Sequence, residues 1–239
     1  MSALPLHQAG HRFGDRDALT GLSFAAAHGE VVAMVGLNGA GKTTALRVLT
    51  GRLRPDRGTA RVLGEDPATM RPTTARRFGH VVGAALVSGD LTVVENLRSA
   101  ASLHGLPRAD VEHASADVVH RLDLDAWADA PARTLSAGNA QRLGIACAVA
   151  HSPSALVLDE PTSALDPRGV VLVRELVRSL ADDGAAVLVS SHHLDEVARV
   201  ADRVVVVHGG RVVGELAPGD EMERRFFAMV LAADAEADA

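Results

Sequence analysis

The stretch Gly36-Leu37-Asn38-Gly39-Ala40-Gly41-Lys42-Thr43 carries the pattern GxxxxGK[ST] and lies between an apolar run, Val31 to Val35, and a helix start. Glycines let such a loop turn so that successive backbone N–H groups converge on phosphate oxygens, and the helix N-terminus adds a favourable dipole. Lys42 then neutralises outer phosphate charge, and Thr43 offers its hydroxyl to Mg²⁺. Further along, Ala155-Leu156-Val157-Leu158 is an apolar strand that ends in two acids, Asp159 and Glu160. At the C-terminal edge of a parallel sheet, where ligands bind, Asp159 suits a Mg²⁺ ligand and Glu160 can polarise an attacking water. Taken alone, each of these has a plainer reading. Two acids at a strand end fit a solvated edge, Ser136 before a helix fits an N-cap, His192 fits a surface loop, and Phe13 fits core packing.

The elements needed to hold such groups are visible as patterns. Val31 to Val35 has the continuous apolar character of a buried parallel strand. Lys42 to Leu49 reads as a helix stopped near Gly51, and Thr59 to Leu63 as a strand after the turn-forming PDRG. Leu4 to Ala9 and Ala18 to Ala26 read as short β stretches. From Thr92, whose capping box uses Glu95, strand signals almost vanish, and Asp110 to Leu122 keeps helical spacing. From Ala155 the β/α alternation resumes. Asp166-Pro167 opens a helix that ends near Gly184, AAVLVS is a strand, and RVVVVHGGRVVGEL is a hairpin through Gly209-Gly210. The fold class expected is α/β: a mainly parallel sheet core with an N-terminal antiparallel β subdomain and an inserted α-helical subdomain. The boundaries expected are one domain over 1–231, with a core at about 1–82 and 151–218 and a helical lobe at about 83–150. Residues 232–239, acidic and without apolar spacing, are expected to be a solvated tail.

Leu135-Ser136-Ala137-Gly138-Asn139, ahead of the helix AQRLGIACAVAHS, resembles the LSGGQ signature of ATP-binding-cassette (ABC) proteins. With it the other motifs take the family's order. GLNGAGKT resembles Walker A and ALVLDE Walker B, Ser163-Ala164-Leu165-Asp166 resembles the D-loop, and Ser190-Ser191-His192 the switch histidine. Phe13 resembles the adenine-stacking aromatic. The likeness runs from about Phe13 to Leu216. The wording LSxGxxQRLxxA, DEPTxxLDP and SSHHLDEV is most similar to the branch that serves exporters with separately encoded permeases.

The resemblance implies a P-loop NTPase core and the cofactors ATP and Mg²⁺. It implies nucleotide contacts from Phe13, from Gly36 through Thr44, and from Ser136, Ala137, Gly138 and Asn139 of an opposing subunit. Thr43 and Asp159 are the implied Mg²⁺ ligands, and Glu160 and His192 the implied catalytic pair. It further implies an ATPase that dimerises head to tail, a homodimer or a heterodimer, and drives integral-membrane permease subunits from the cytoplasmic face of the cell membrane. An importer subunit, a soluble ABC ATPase and a weakly hydrolysing regulatory protein are the alternatives. The sequence departs from the family at Gly83, which stands where the family carries a glutamine that contacts Mg²⁺ and the attacking water. Ala137 and Asn139 are smaller departures within the signature.

Composition limits the rest. Lys+Arg 24 against Asp+Glu 30, a net charge of −6, argues against a protein living on nucleic-acid backbone. No apolar run approaches the roughly 20 residues that span a bilayer, and the first residues lack the pattern of a secretory signal. The lone Cys147 fits a reducing compartment, and Cys147 and Trp127 read as packing residues.

Overall fold

The computed structural model describes residues 2–219 and 221–237. Strands β1 (Ser2–Phe13) and β2 (Arg16–Ala27) make an antiparallel hairpin whose tip pairs Phe13 with Arg16. Next come β3 (Val31–Val35), α1 (Lys42–Leu49), β4 (Arg57–Ala60), α2 (Pro72–Ala75) and β5 (Phe78–Val81). The helical lobe holds α3 (Val93–Leu103), α4 (Arg108–Arg121) and α5 (Ala137–Val149). The chain then returns through β6 (Ala155–Asp159), α6 (Pro167–Asp182), β7 (Ala186–Ser191), α7 (Leu194–Val197), β8 (Arg203–His208), β9 (Arg211–Leu216) and α8 (Met222–Ala237).

Two sheets result. One is antiparallel, in the order β2-β1-β4, and the other runs β5-β6-β7-β3-β8-β9, parallel except for β9. β3 is buried at all five positions, as a central parallel strand covered on both faces must be. Val31, Ala33 and Val35 face the core shared with the lobe and α6, whereas Val32 and Met34 face the core shared with α1 and the antiparallel sheet. This is the α/β architecture read from the sequence, with the helical lobe inserted between β5 and β6.

Several local readings hold to the residue: β3, α1, β6 and the capping box of Thr92 and Glu95 at the start of α3. Others need correction. The strand read at Thr59 to Leu63 is shifted to Arg57–Ala60, and Val62 makes only a bridge to Glu65. β5 had no sequence signal, because its four residues include Gly79 and His80. Trp127 sits on a short 3₁₀ turn and is 37% exposed, so it is not a core residue. Cys147 is one, and burial pushes its thiol up to about 12.

The solvated tail also gives way. Residues 232–237 belong to α8, which buries Met222, Phe226, Val230 and Ala233 at helical spacing. Asp234 on this helix lies 2.6 Å from Nε2 of His208 on β8. The remainder of the expected tail lies outside the described residues. Among the described residues no helix is long and apolar enough to cross a membrane.

Candidate functional site

The loop from Gly36 to Lys42 follows β3 and enters α1 at the C-terminal edge of the parallel sheet. Gly41 occupies the N-cap of α1 with φ 107°, and an added Cβ there would lie 2.7 Å from the Ala18 carbonyl oxygen. Only glycine meets both conditions. No side chain caps α1 and its first turn holds no acid, so the helix N-terminus opens toward the adjoining cavity with its amide donors free of side-chain partners. That cavity, about 470 Å³, is lined by Phe13, Arg16, Ala18, the loop residues Leu37 to Thr44, and Glu160.

Lys42 is 7% exposed; its Nζ donates to the Gly36 carbonyl at 2.6 Å and lies 3.8 Å from Glu160 Oε1. Burial lowers the pKa of this lysine, and the charges of Glu160 and then Asp159 oppose the shift. Thr43 Oγ1 donates to Asp159 Oδ1 at 3.4 Å. Two hard oxygens from different elements thus share one spot, the donor type that Mg²⁺ takes. Glu160 Oε2 lies 2.8 Å from His192 Nδ1. Residues distant in sequence, Lys42, Thr43, Asp159, Glu160 and His192, are therefore continuous through contacts of 3.8 Å or less.

Phe13, at the end of β1, is 47% exposed and lines the same cavity. Exposure disposes of the core-packing alternative for this residue. The signature segment lies elsewhere: Ser136 is the N-cap of α5, accepting from the Asn139 amide at 3.2 Å, and no α5 residue lines the loop's cavity. Gly138 is needed for close approach, since an added Cβ would lie 3.0 Å from the Ala164 carbonyl oxygen. Asn139 departs from expectation. The residue is 6% exposed and its Oδ1 accepts from buried Arg142, so that oxygen packs the lobe.

Gly83 lies just past β5 with φ 71°, exposed, and a Cβ built on it meets nothing within 4 Å. It is absent from the cavity lining.

One residue that the sequence motif contains but to which it assigns no role is Ser190. It is 0% exposed; its hydroxyl accepts from the Glu160 amide at 2.9 Å and donates to Asp159 Oδ1 at 2.6 Å. It thereby holds Glu160 in a left-handed backbone conformation, φ 48°, that non-glycine residues rarely adopt. The available signal was a hydroxyl near the end of an apolar strand, two residues before His192.

Comparison with known proteins agrees with this geometry. A sequence model described as ABC transporter matches residues 19–163. Nod factor export ATP-binding protein I of Ralstonia nicotianae is 36% identical over 207 residues, 87% of this chain and 64% of that protein. Daunorubicin/doxorubicin resistance ATP-binding protein DrrA of Streptomyces peucetius is 41% identical over 204 residues, 85% of this chain and 62% of that protein. The chain thus spans less than two thirds of the length of both relatives. A solved ATP-binding subunit of an ABC transporter superposes with a TM-score of 0.85 at 29% identity, covering 96% of this chain and 95% of that one.

Proposed function

This chain belongs to the ABC transporter family, and from that premise we propose that it is an ATP-binding and hydrolysing subunit that powers export through separate integral-membrane permease subunits. The observation that carries the reading is the contact chain Lys42–Glu160–His192 beside Thr43–Asp159 at the mouth of an uncapped helix. The site fits its groups. Free first-turn amides and buried Lys42 suit phosphate oxygens, and the Thr43 and Asp159 oxygens suit Mg²⁺. Mg²⁺ held there would supply positive charge against the phosphate charge of the nucleotide.

This chain's residues do the rest. Phe13 offers a π-face to the adenine, residues Gly36 to Thr44 hold the phosphates, and Lys42 balances their charge. Glu160 orients and polarises the attacking water, and His192 fixes the Glu160 carboxylate from its far side. Ser136, Ala137 and Gly138 stand at a second helix N-terminus, outside their own chain's cavity. In a head-to-tail dimer that terminus meets the nucleotide of the opposing subunit. The names of the relatives, export and drug resistance, support export over import. The permease partner holds the subunit at the cytoplasmic face of the cell membrane. Exposed Gly83, which reaches nothing in the cavity, favours a slower second variety of this function in which water takes the glutamine's place.

The decisive experiment pairs Mg²⁺-dependent ATPase of the wild type with Glu160→Gln. The variant retains ATP and accumulates as a dimer on sizing with ATP. A wild type without ATPase, together with a variant that stays monomeric, refutes the motor assignment.

A further inference from the structure

The tip of the first hairpin presents more than an aromatic ring to the phosphate loop. Phe13 and Arg16 are direct cross-strand partners at the end of β1 and β2, so their side chains leave the same face of the sheet. Both line the cavity over the loop. Arg16 Nη2 comes within 3.0 Å of the point that a Cβ on Gly39 would occupy, which places the guanidinium directly over the middle of the loop.

The charges around Arg16 leave it available. Its sequence neighbours Asp15 and Asp17 both turn to Arg12, at 3.8 and 3.7 Å, and among the described residues no acid forms a salt bridge with Arg16. The other charged groups lining the cavity are Lys42 and Glu160, and these already face each other at 3.8 Å. Arg16 is therefore the unbalanced positive charge of the cavity. A guanidinium fork matches phosphate geometry, and a phosphate chain laid along this loop is the anion it would meet.

We propose that Arg16 is a second phosphate-binding cation of the site, gripping the polyphosphate of the nucleotide from the hairpin side while Lys42 holds it from the loop. The inference rests on the nucleotide-site reading above. Arg16 reads phosphate and not the base, so its contribution is the same for ATP and GTP. It acts on ground-state binding, so it moves KM and leaves kcat in place.

The test is nucleotide affinity by calorimetry, with MgATP, MgADP and MgGTP, for the wild type, Arg16→Gln, Arg16→Lys and Arg108→Gln. The last removes the same charge from an exposed position on the helical lobe. Arg16→Gln is expected to weaken all three nucleotides about tenfold, the worth of one exposed charge-assisted contact. Arg16→Lys, which keeps the charge and loses the fork, lies between Arg16→Gln and the wild type, and Arg108→Gln behaves as wild type. The loss shrinks in about 0.5 M salt, where exposed charges are screened within a few ångströms. Unchanged affinity in Arg16→Gln overturns the proposal. So does a loss confined to one base, or one accompanied by a lower melting temperature and a fall in kcat, since those mark base recognition or a structural role. If the wild type itself binds no nucleotide, and Lys42→Ala is indistinguishable from it, the nucleotide-site reading falls and this proposal with it.

Discussion

Ser190→Ala is the substitution with the most to say about how Glu160, the carboxylate proposed to be catalytic, is held. The hydroxyl is wholly buried and has two partners, the Glu160 amide at 2.9 Å and Asp159 Oδ1 at 2.6 Å. Removing it strands a buried donor and takes one hydrogen bond from a carboxylate, together about 2–4 kcal/mol of stability. For a domain of this size that lowers the melting temperature by about 4–15 °C. The catalytic effect is separate. Glu160 sits at φ 48°, a conformation that costs about 1–2 kcal/mol and that the Ser190 contact supports. Without the contact the backbone relaxes toward the ordinary region, and the population with a productive carboxylate falls about 5- to 30-fold. Steady-state ATPase should therefore show kcat reduced by that factor. KM for ATP stays within about twofold, because the phosphate loop is untouched. Wild-type kcat in a folded Ser190→Ala protein, or a loss carried by KM, refutes the positioning role.

Three other perturbations have defined outcomes. Gly83→Gln has space for its side chain but must hold φ 71°, a strain of about 1–2 kcal/mol that Gly83→Ala shares. Higher Mg²⁺-dependent ATPase in Gly83→Gln than in Gly83→Ala marks a functional gap at this position, and equal rates in the two deny it. Phe226→Ala, at a buried position of α8, should cost about 3–5 kcal/mol in denaturant unfolding. Phe227→Ala, its exposed neighbour, should stay within about 0.5 kcal/mol; equal effects would mean that α8 does not dock as described. The third concerns pH. Burial, the largest cause in each case, lowers His80 to about 4 and His151 to about 3, so both are neutral in the folded chain where the unfolded chain protonates. Their stabilising contribution is complete above the unfolded value of 6.5 and is lost as pH falls toward the folded values. The slope is at most about 1.4 kcal/mol per pH unit for each group. Chemical denaturation from pH 7 to 4.5 should show that loss, and His151→Gln should flatten it; an unchanged slope removes His151 as a cause.

The candidate site was legible in the sequence wherever its groups are neighbours along the chain. The loop from Gly36 to Thr43 joins a strand to a helix start in one uninterrupted stretch, so its residue types alone predict the uncapped helix start that the structure shows. Asp159 and Glu160 end their own apolar strand, and Thr92 with Glu95 caps α3 within one turn. What the sequence could not decide depends on partners far away in the chain. The exposure of Phe13 follows from where the hairpin tip lands, and the inward turn of Asn139 follows from Arg142 one helical turn along and the carbonyls of Leu122 and Asp123 beyond it. β5 exists because β6 supplies its ladder, and α8 is ordered to Ala237 because β8 and β9 receive its apolar side. Ser190 is the clearest case. By composition it is one hydroxyl at the end of an apolar strand, and only the parallel register of β6 and β7, which sets Ser190 beside Asp159, makes it the group that holds the acids of the site. Local pattern determined which groups the protein carries, because backbone turn and helix start are short-range; long-range strand pairing decided which of them meet.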